Sequence, residues 1–160
     1  LDEVLKTKFL KLNMNRRFDV CYLKHERMDY QRRKKFLKKE NAKVLIPSLI
    51  RDEMDVLAAI TNQGRMLVFP HTELPQLARG KGNKIIGIPK ANFESGEEFL
   101  QELAVVGEGR ELKLISGKRH FTIKFKDLEN FSGNRGRRGN FLPKGFRKVD
   151  KVEVVSPEDN

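Results

Sequence analysis

Two short stretches of this chain mount long cationic side chains on glycine-rich backbone. One is Arg79-Gly80-Lys81-Gly82, continued by Asn83-Lys84, and the other is Gly133-Asn134-Arg135-Gly136-Arg137-Arg138-Gly139. Glycine has no Cβ, so such loops take tight turns and bring backbone N–H groups close to a phosphate. The guanidinium of Arg79 offers a planar fork of donors to phosphate oxygens, while Lys81 and Lys84 act as point charges. The second stretch repeats the recipe at higher charge, with Arg135 before Gly136, and Arg137 and Arg138 before Gly139. Apolar Ile85, Ile86 and Ile88 follow the first loop and would anchor its far end in a sheet. The chemistry open to these residues is grip on an anion; the plainer reading is a hydrophilic turn ahead of a strand.

Bond-making chemistry finds little support. His25, His71 and His120 are scattered, without carboxylates or cysteines at metal-ligand spacing, so no metal site is expected. "RGKGNK" has neither the full Walker spacing nor the Ser/Thr after Lys that a nucleotide-phosphate loop needs. Cys21 is the only cysteine, which excludes an internal disulfide and fits a reducing cytoplasm. No apolar run approaches the roughly 20 residues that span a bilayer, and the first residues lack a secretion-signal layout. The chain begins with Leu and reads as a fragment of something longer.

Charge sharpens the anion reading. The 160 residues carry a net charge of +11. Three windows, Gln31–Lys39, Leu77–Lys90 and Ser132–Lys151, hold 6, 4 and 7 of the 33 Lys and Arg residues, and only one of the 22 acids, Asp150. They carry +16 between them, and the rest of the chain carries −5. Mutual repulsion favours spreading cations out, so this clustering points to a polyanionic partner.

The windows share a setting that forms a weak internal repeat. "NQGRMLVFP" precedes the second window and "SGKRHFTIKF" the third, each a glycine turn followed by an apolar or alternating run. "NRRFDVCYL" precedes the first. Apolar anchors follow the later runs, "ELPQL" and "DLENF". Further short strands are expected in "AKVLIPSLI", "MDVLAAIT", "LQELAVVG", "ELKLIS" and "DKVEVV". Short strands at regular spacing predict an all-β fold of similar sheets, and a propeller with about four strands per blade is one solution. "ESGEEFLQELA" is the exception: Ser95 and Glu98 can form a capping box, which places one short helix near 95–104. In residues 1–40, "LDEVLKTKFLKL" fits a helix and a strand almost equally and "ERMDYQRRKKFLKKENA" holds strong helix formers throughout, but strands are assigned because the repeat requires them.

The stretch from "MDVLAAITNQGRMLVFPHTELPQLARGKGNKIIGIP" to "SGKRHFTIKFKDLENFSGNRGRRGNFLPKGFRKVDKVEVVSP" resembles the C-terminal end of the A subunit of bacterial DNA topoisomerase IV. "AITNQGRMLVFP", "ELPQLARGKGNKIIGIP" and "GNRGRRG" carry the likeness, in order and correctly spaced. It is close over 41–157 and thins upstream to "FDVCY" and "ENAKVLIP". A sister family, that of the gyrase A subunit, is marked by a Gln-Arg-Arg-Gly-Gly-Lys-Gly box. Gln31-Arg32-Arg33 begins like that box but continues Lys34-Lys35-Phe36-Leu37, without the glycines.

The resemblance implies a β-pinwheel, a propeller-like ring of four-stranded blades, of which this chain is all or part. Residues 1–40 would form one blade, 41–157 the matched blades and 158–160 a tail. It implies that the domain binds and bends duplex DNA on a basic rim, presenting a segment to the catalytic core for decatenation and supercoil relaxation. Carried over by position, Arg79, Lys81, Lys84, Arg135, Arg137 and Arg138 meet DNA, with Lys118 and Arg119 beside them. Arg32, Arg33, Lys34, Lys35, Lys144, Arg147 and Lys148 complete the candidate set from the basic windows, and Gly80, Gly82, Gly136 and Gly139 shape the loops. Partners would be the topoisomerase IV B subunit, together with the N-terminal part of the A subunit, in an A2B2 enzyme of the bacterial cytoplasm and nucleoid. ATP and magnesium would serve that whole enzyme, with no cofactor held by this chain. Strand cleavage in the family uses a tyrosine in a separate domain, and nothing around Tyr22 or Tyr30 resembles that site, so no catalytic residue is expected here. A basic RNA- or ribosome-binding β module is the alternative the residues leave open.

Overall fold

The computed structural model describes residues 50–74 and 83–157. Glycine turns fold two stretches of chain into hairpins. β1 (Val56–Thr61) and β2 (Arg65–Pro70) meet across Gly64, and β4 (Glu111–Ser116) and β5 (Arg119–Lys124) meet across Gly117. Both glycines sit at positive φ, +72° and +59°, a conformation that costs glycine no side-chain clash. Each hairpin then runs into a 3-10 turn, His71–Glu73 after β2 and Phe125–Phe131 after β5. A third strand adds beside the first strand of each hairpin: β3 (Leu100–Val106) on β1 and β7 (Lys151–Val155) on β4, all antiparallel. In its second and third units the internal repeat is therefore a real structural unit of hairpin, 3-10 turn and returning strand, while the first unit, with "NRRFDVCYL", lies outside the described residues.

The two units interlock through one crossing segment. After the second 3-10 turn the chain leaves its own sheet, and β6 (Asn140–Phe141) pairs with β2 of the first unit. It then returns to supply β7. The first sheet thus has four strands in the order β3-β1-β2-β6, and the second has three, β5-β4-β7. The four-stranded blade is met in the first sheet because the following repeat lends the fourth strand; among the described residues nothing lends one to β5.

Hydrophobic patterning matches this layering. "VLAAIT" and "RMLVFP" are nearly unbroken apolar runs, and both faces of their sheet are covered. Leu57, Ala59, Leu67 and Phe69 pack on Leu74, Ile85, Ile86, Ile88 and Leu100. Ala58, Ile60, Met66 and Val68 pack on Leu112, Leu114 and Ile123 of the second sheet, together with Leu128, Leu142 and Val149. "ELKLIS" instead alternates, burying Leu112 and Leu114 on one face only.

Among the described residues one short helix is present, α1 (Lys90–Glu94), upstream of the expected 95–104. Ser95 closes it instead of opening a new one: its Oγ donates to the Asn92 carbonyl at 3.1 Å, and Gly96 follows at φ +77°. Residues 100–106 are strand β3, in register with β1, because the apolar positions needed there complete the buried sheet. Glu98 does not cap; its carboxylate is drawn inward by Arg138.

Candidate nucleic-acid interface

The crossing segment, Ser132 to Asp150, is where the described cations gather. Its upstream end is tied to both neighbours by backbone. Gly133 N–H donates to Val68 O at 3.0 Å, Gly136 N–H to Ile85 O at 2.7 Å, and Gly87 N–H to Arg137 O at 2.6 Å. Gly139, at φ +74°, lies so close to β2 that a Cβ there would sit 2.6 Å from the Met66 carbonyl oxygen. Only glycine fits that approach. At the downstream end, Leu142 and Val149 are buried between the sheets, and the residues between them, apart from half-buried Phe146, face solvent. Buried apolar anchors therefore bracket Lys144, Arg147 and Lys148.

The arginines of the glycine-rich loop do not share one role. Arg135 points inward: its backbone N–H donates to Glu73 Oε2 at 2.7 Å, its Nε to Glu73 O at 3.1 Å and its Nη1 to Lys84 O at 2.7 Å. Arg138 makes a bidentate pair with Glu98, both N–O distances 2.6 Å, and Nη1 also donates to Gly87 O. Glu98 is only 1% exposed, and Asn92 Nδ2 donates to it at 3.4 Å. Arg137 lies between them with its side chain exposed. Lys84 is exposed too, and its carbonyl holds Arg135, so the ends of the two glycine-rich loops are neighbours and not features of distant blades.

The crossing segment also reaches the Gly117 turn. Gly117 N–H donates to Asp150 Oδ2 at 2.6 Å, and Arg119 Nη2 donates to Gly145 O at 3.0 Å. Lys118 and Arg119 therefore stand beside Lys144, Arg147 and Lys148. The arginines that open β2 and β5 are treated alike. Arg65 donates through Nη1 to Gly139 O and stacks on Phe141, with Cζ 3.8 Å from the ring centroid. Arg119 donates to Gly145 O and lies 5.5 Å from the centroid of Phe146, whose ring tilts at 34° against Phe121, 5.4 Å away. Arg147 stacks on Phe141 as well, at 4.4 Å. Burial, then the neighbouring Arg138, lowers the Arg65 guanidinium from its ordinary value; Glu98 opposes this and Arg147 adds to it.

Arg32, Arg33, Lys34, Lys35, Arg79, Gly80, Lys81 and Gly82 lie outside the described residues. Arg65 and Phe141 belong to the site's frame, and charge clustering alone does not single them out. The signal in the sequence is the matching of Arg65 with Arg119, the residues that open β2 and β5 just after each glycine turn.

No family model matches the chain. The A subunit of DNA topoisomerase 4 from Pseudomonas aeruginosa is 52% identical over 118 residues, covering 72% of this chain and 16% of that protein. The protein of the same name from Escherichia coli (strain K12) is 46% identical over 118 residues, covering 74% and 16%. The solved E. coli ParC C-terminal domain superposes with a TM-score of 0.72 at 36% identity, over 94% of this chain and 61% of that one. The chain belongs to the family of C-terminal domains of the topoisomerase IV A subunit. A crystal structure of the C-terminal domain of DNA topoisomerase IV, at 22% identity and a TM-score of 0.59, shares the fold. The fold is the β-pinwheel of that family, with two sheets and one short helix among the described residues. The chain spans 16% of the length of the two relatives from P. aeruginosa and E. coli. Within the family fold, the crossing segment is both the seam between blades and the carrier of exposed Arg137, Lys144, Arg147 and Lys148.

Proposed function

We propose that this chain binds duplex DNA through backbone phosphates, without reading sequence, and bends it across its basic rim. The observation that carries this reading is the crossing segment: Arg137, Lys144, Arg147 and Lys148 are exposed on backbone locked to both sheets, beside Lys84, Lys118 and Arg119. Cations held on a rigid frame lose little freedom on meeting phosphates. Phosphate contacts set the position of a duplex without specifying bases. Bending a site of 20–30 base pairs costs about 1–6 kcal/mol, which added rim contacts offset.

In the whole enzyme the domain would hold a bent DNA segment for the cleavage core formed by the rest of the A subunit, with the B subunit, in an A2B2 assembly that decatenates and relaxes DNA. ATP and Mg²⁺ would serve that core. Among the described residues no three His, Cys, Asp or Glu side chains gather to hold a metal, and none of their helices is long and apolar enough to cross a membrane. The bacterial cytoplasm, at the nucleoid, is the compartment this role requires.

Titrating labelled duplex DNA and a structured RNA at two salt concentrations tests the reading, with energy transfer between labelled duplex ends reporting bending. Tighter, steeply salt-dependent duplex binding with closer ends supports it. Equal affinity for RNA without bending favours an RNA- or ribosome-binding module.

A further inference from the structure

Three guanidiniums converge where β2, β6 and the crossing segment meet, and only one carboxylate accompanies them among the described residues. Arg138 takes both oxygens of Glu98. Arg65 and Arg147 form no ion pair with a carboxylate among the described residues; instead both lie over the ring of Phe141, which is 46% exposed. The Arg65 Nε is buried without a hydrogen-bond partner. Like charges this close repel, and the ring's quadrupole compensates them only in part. The frame that enforces the arrangement is stiff. Gly139 O holds Arg65, Leu142 N–H donates to Gly64 O at 2.8 Å, and the Gly64 turn packs directly on the Arg147 backbone. A folded protein that fixes two guanidiniums on one exposed ring, neither paired with a carboxylate among the described residues, has prepared a site for an anion.

We propose that Arg65 and Arg147, oriented by Phe141, form an arginine clamp that is the chief anchor for a backbone phosphate of bound DNA. Arg147 is the phosphate-binding member, since it is exposed and its guanidinium lies over the ring. Arg65 supplies positive potential, and Phe141 is a positioning residue that keeps the Arg147 fork over the ring. Lys144 and Lys148 flank the clamp on the same anchored segment, which suits a polyanion better than a single small anion. This inference rests on the duplex-binding reading and adds which residues dominate it.

The test is anisotropy of a labelled duplex with the full chain, over a salt series, comparing wild type with Arg147→Ala, Arg147→Lys and Phe141→Leu. Arg147→Ala should weaken binding on the order of ten-fold and reduce the slope of log K against log salt by about one. Arg147→Lys and Phe141→Leu should keep the slope and lose affinity several-fold, because charge remains while orientation is lost. A merely structural role for Phe141 would lower the active fraction and the melting temperature without separating affinity from slope, and would overturn its place in the clamp. If wild type binds and all three variants match it, the clamp is overturned while duplex binding stands. If wild type binds no duplex, both readings fall.

Discussion

Arg138 and Arg147 stand on the same crossing segment, and their guanidiniums meet opposite surroundings. Arg138 reaches inward to a carboxylate that water barely touches, whereas Arg147 lies outward on a solvent-facing ring with no carboxylate paired to it among the described residues. The upstream end of the segment, with Arg135 and Arg138, ties it to the first sheet and to the stretches around Lys84–Gly87 and Glu98. The downstream end, bracketed by Leu142 and Val149, holds its cations up to solvent. One basic stretch therefore does two jobs, and its formal charge overstates what a polyanion can touch. Three predictions probe the division, and a fourth tests the edge where the two sheets meet.

The largest effect is expected from Arg138→Ala. It strands the Glu98 carboxylate in the interior, where an unpaired charge is costly, and stability should fall by about 3 kcal/mol in a denaturant titration. The figure sits at the low end of the range for buried pairs because Arg138 keeps part of its hydration, with its side chain 35% exposed. Replacing both partners together, Arg138→Met with Glu98→Leu, should recover most of the loss. A mild effect of the single change would mean that the upstream end is not a structural tie.

Gly64→Ala comes next. The turn requires positive φ, which costs a non-glycine residue about 1–3 kcal/mol, and the new methyl would collide with the Arg147 backbone. Lower stability should come with weaker duplex binding, because the downstream frame shifts. Gly96→Ala supplies the control: its φ is also positive, yet nothing lies near its Cβ position, so stability alone should suffer.

Arg137→Ala probes the same loop from its exposed side. Its backbone carbonyl, which accepts from Gly87, is untouched by the change. Stability should stay within about 0.5 kcal/mol of wild type, while the salt slope of duplex binding falls by about one unit. Arg137 and Arg138, adjacent in sequence, would then separate cleanly into a DNA contact and a tie.

Much of this fold was legible in the sequence. Glycine turns at Gly64 and Gly117, the alternation in "ELKLIS" and the repeat of strand and anchor all follow from local chemistry that needs no partner. Unbroken apolar character in "VLAAIT" also carried information, since a strand covered on both faces has no polar side to show. The helix was misplaced because Ser95 and Glu98 satisfy a capping pattern locally, and only the distant Arg138 decides where that carboxylate goes. The same limit applied to the arginines. Sequence grouped Arg135, Arg137 and Arg138 by charge, but their division depends on Glu73, Lys84, Gly87 and Glu98, brought up from far along the chain. The exposed, guanidinium-covered ring of Phe141 follows from the strand exchange that no local pattern announces.

The smallest expected effect concerns a carboxylate on the third strand of the first sheet, away from the DNA-facing cations proposed above. Partial burial raises the Glu102 carboxyl above its ordinary value, and Lys151 pulls the other way. A group whose folded pKa is raised favours the folded state most when it is protonated. Its contribution is complete below the ordinary carboxylate range and is lost as pH climbs through the raised value. Glu102→Gln removes the ionisation while keeping a polar side chain of similar shape. The variant should be slightly more stable than wild type at neutral pH, and the difference should vanish in acid, read as paired melting curves across pH. Duplex binding should gain little, since Lys151 is the cation that acts on Glu102 and it lies outside the proposed clamp. A neutral-pH destabilisation would mean that the attraction to Lys151 outweighs burial, and the two sheets would then be joined at that edge by charge as well as by the buried apolar side chains between them.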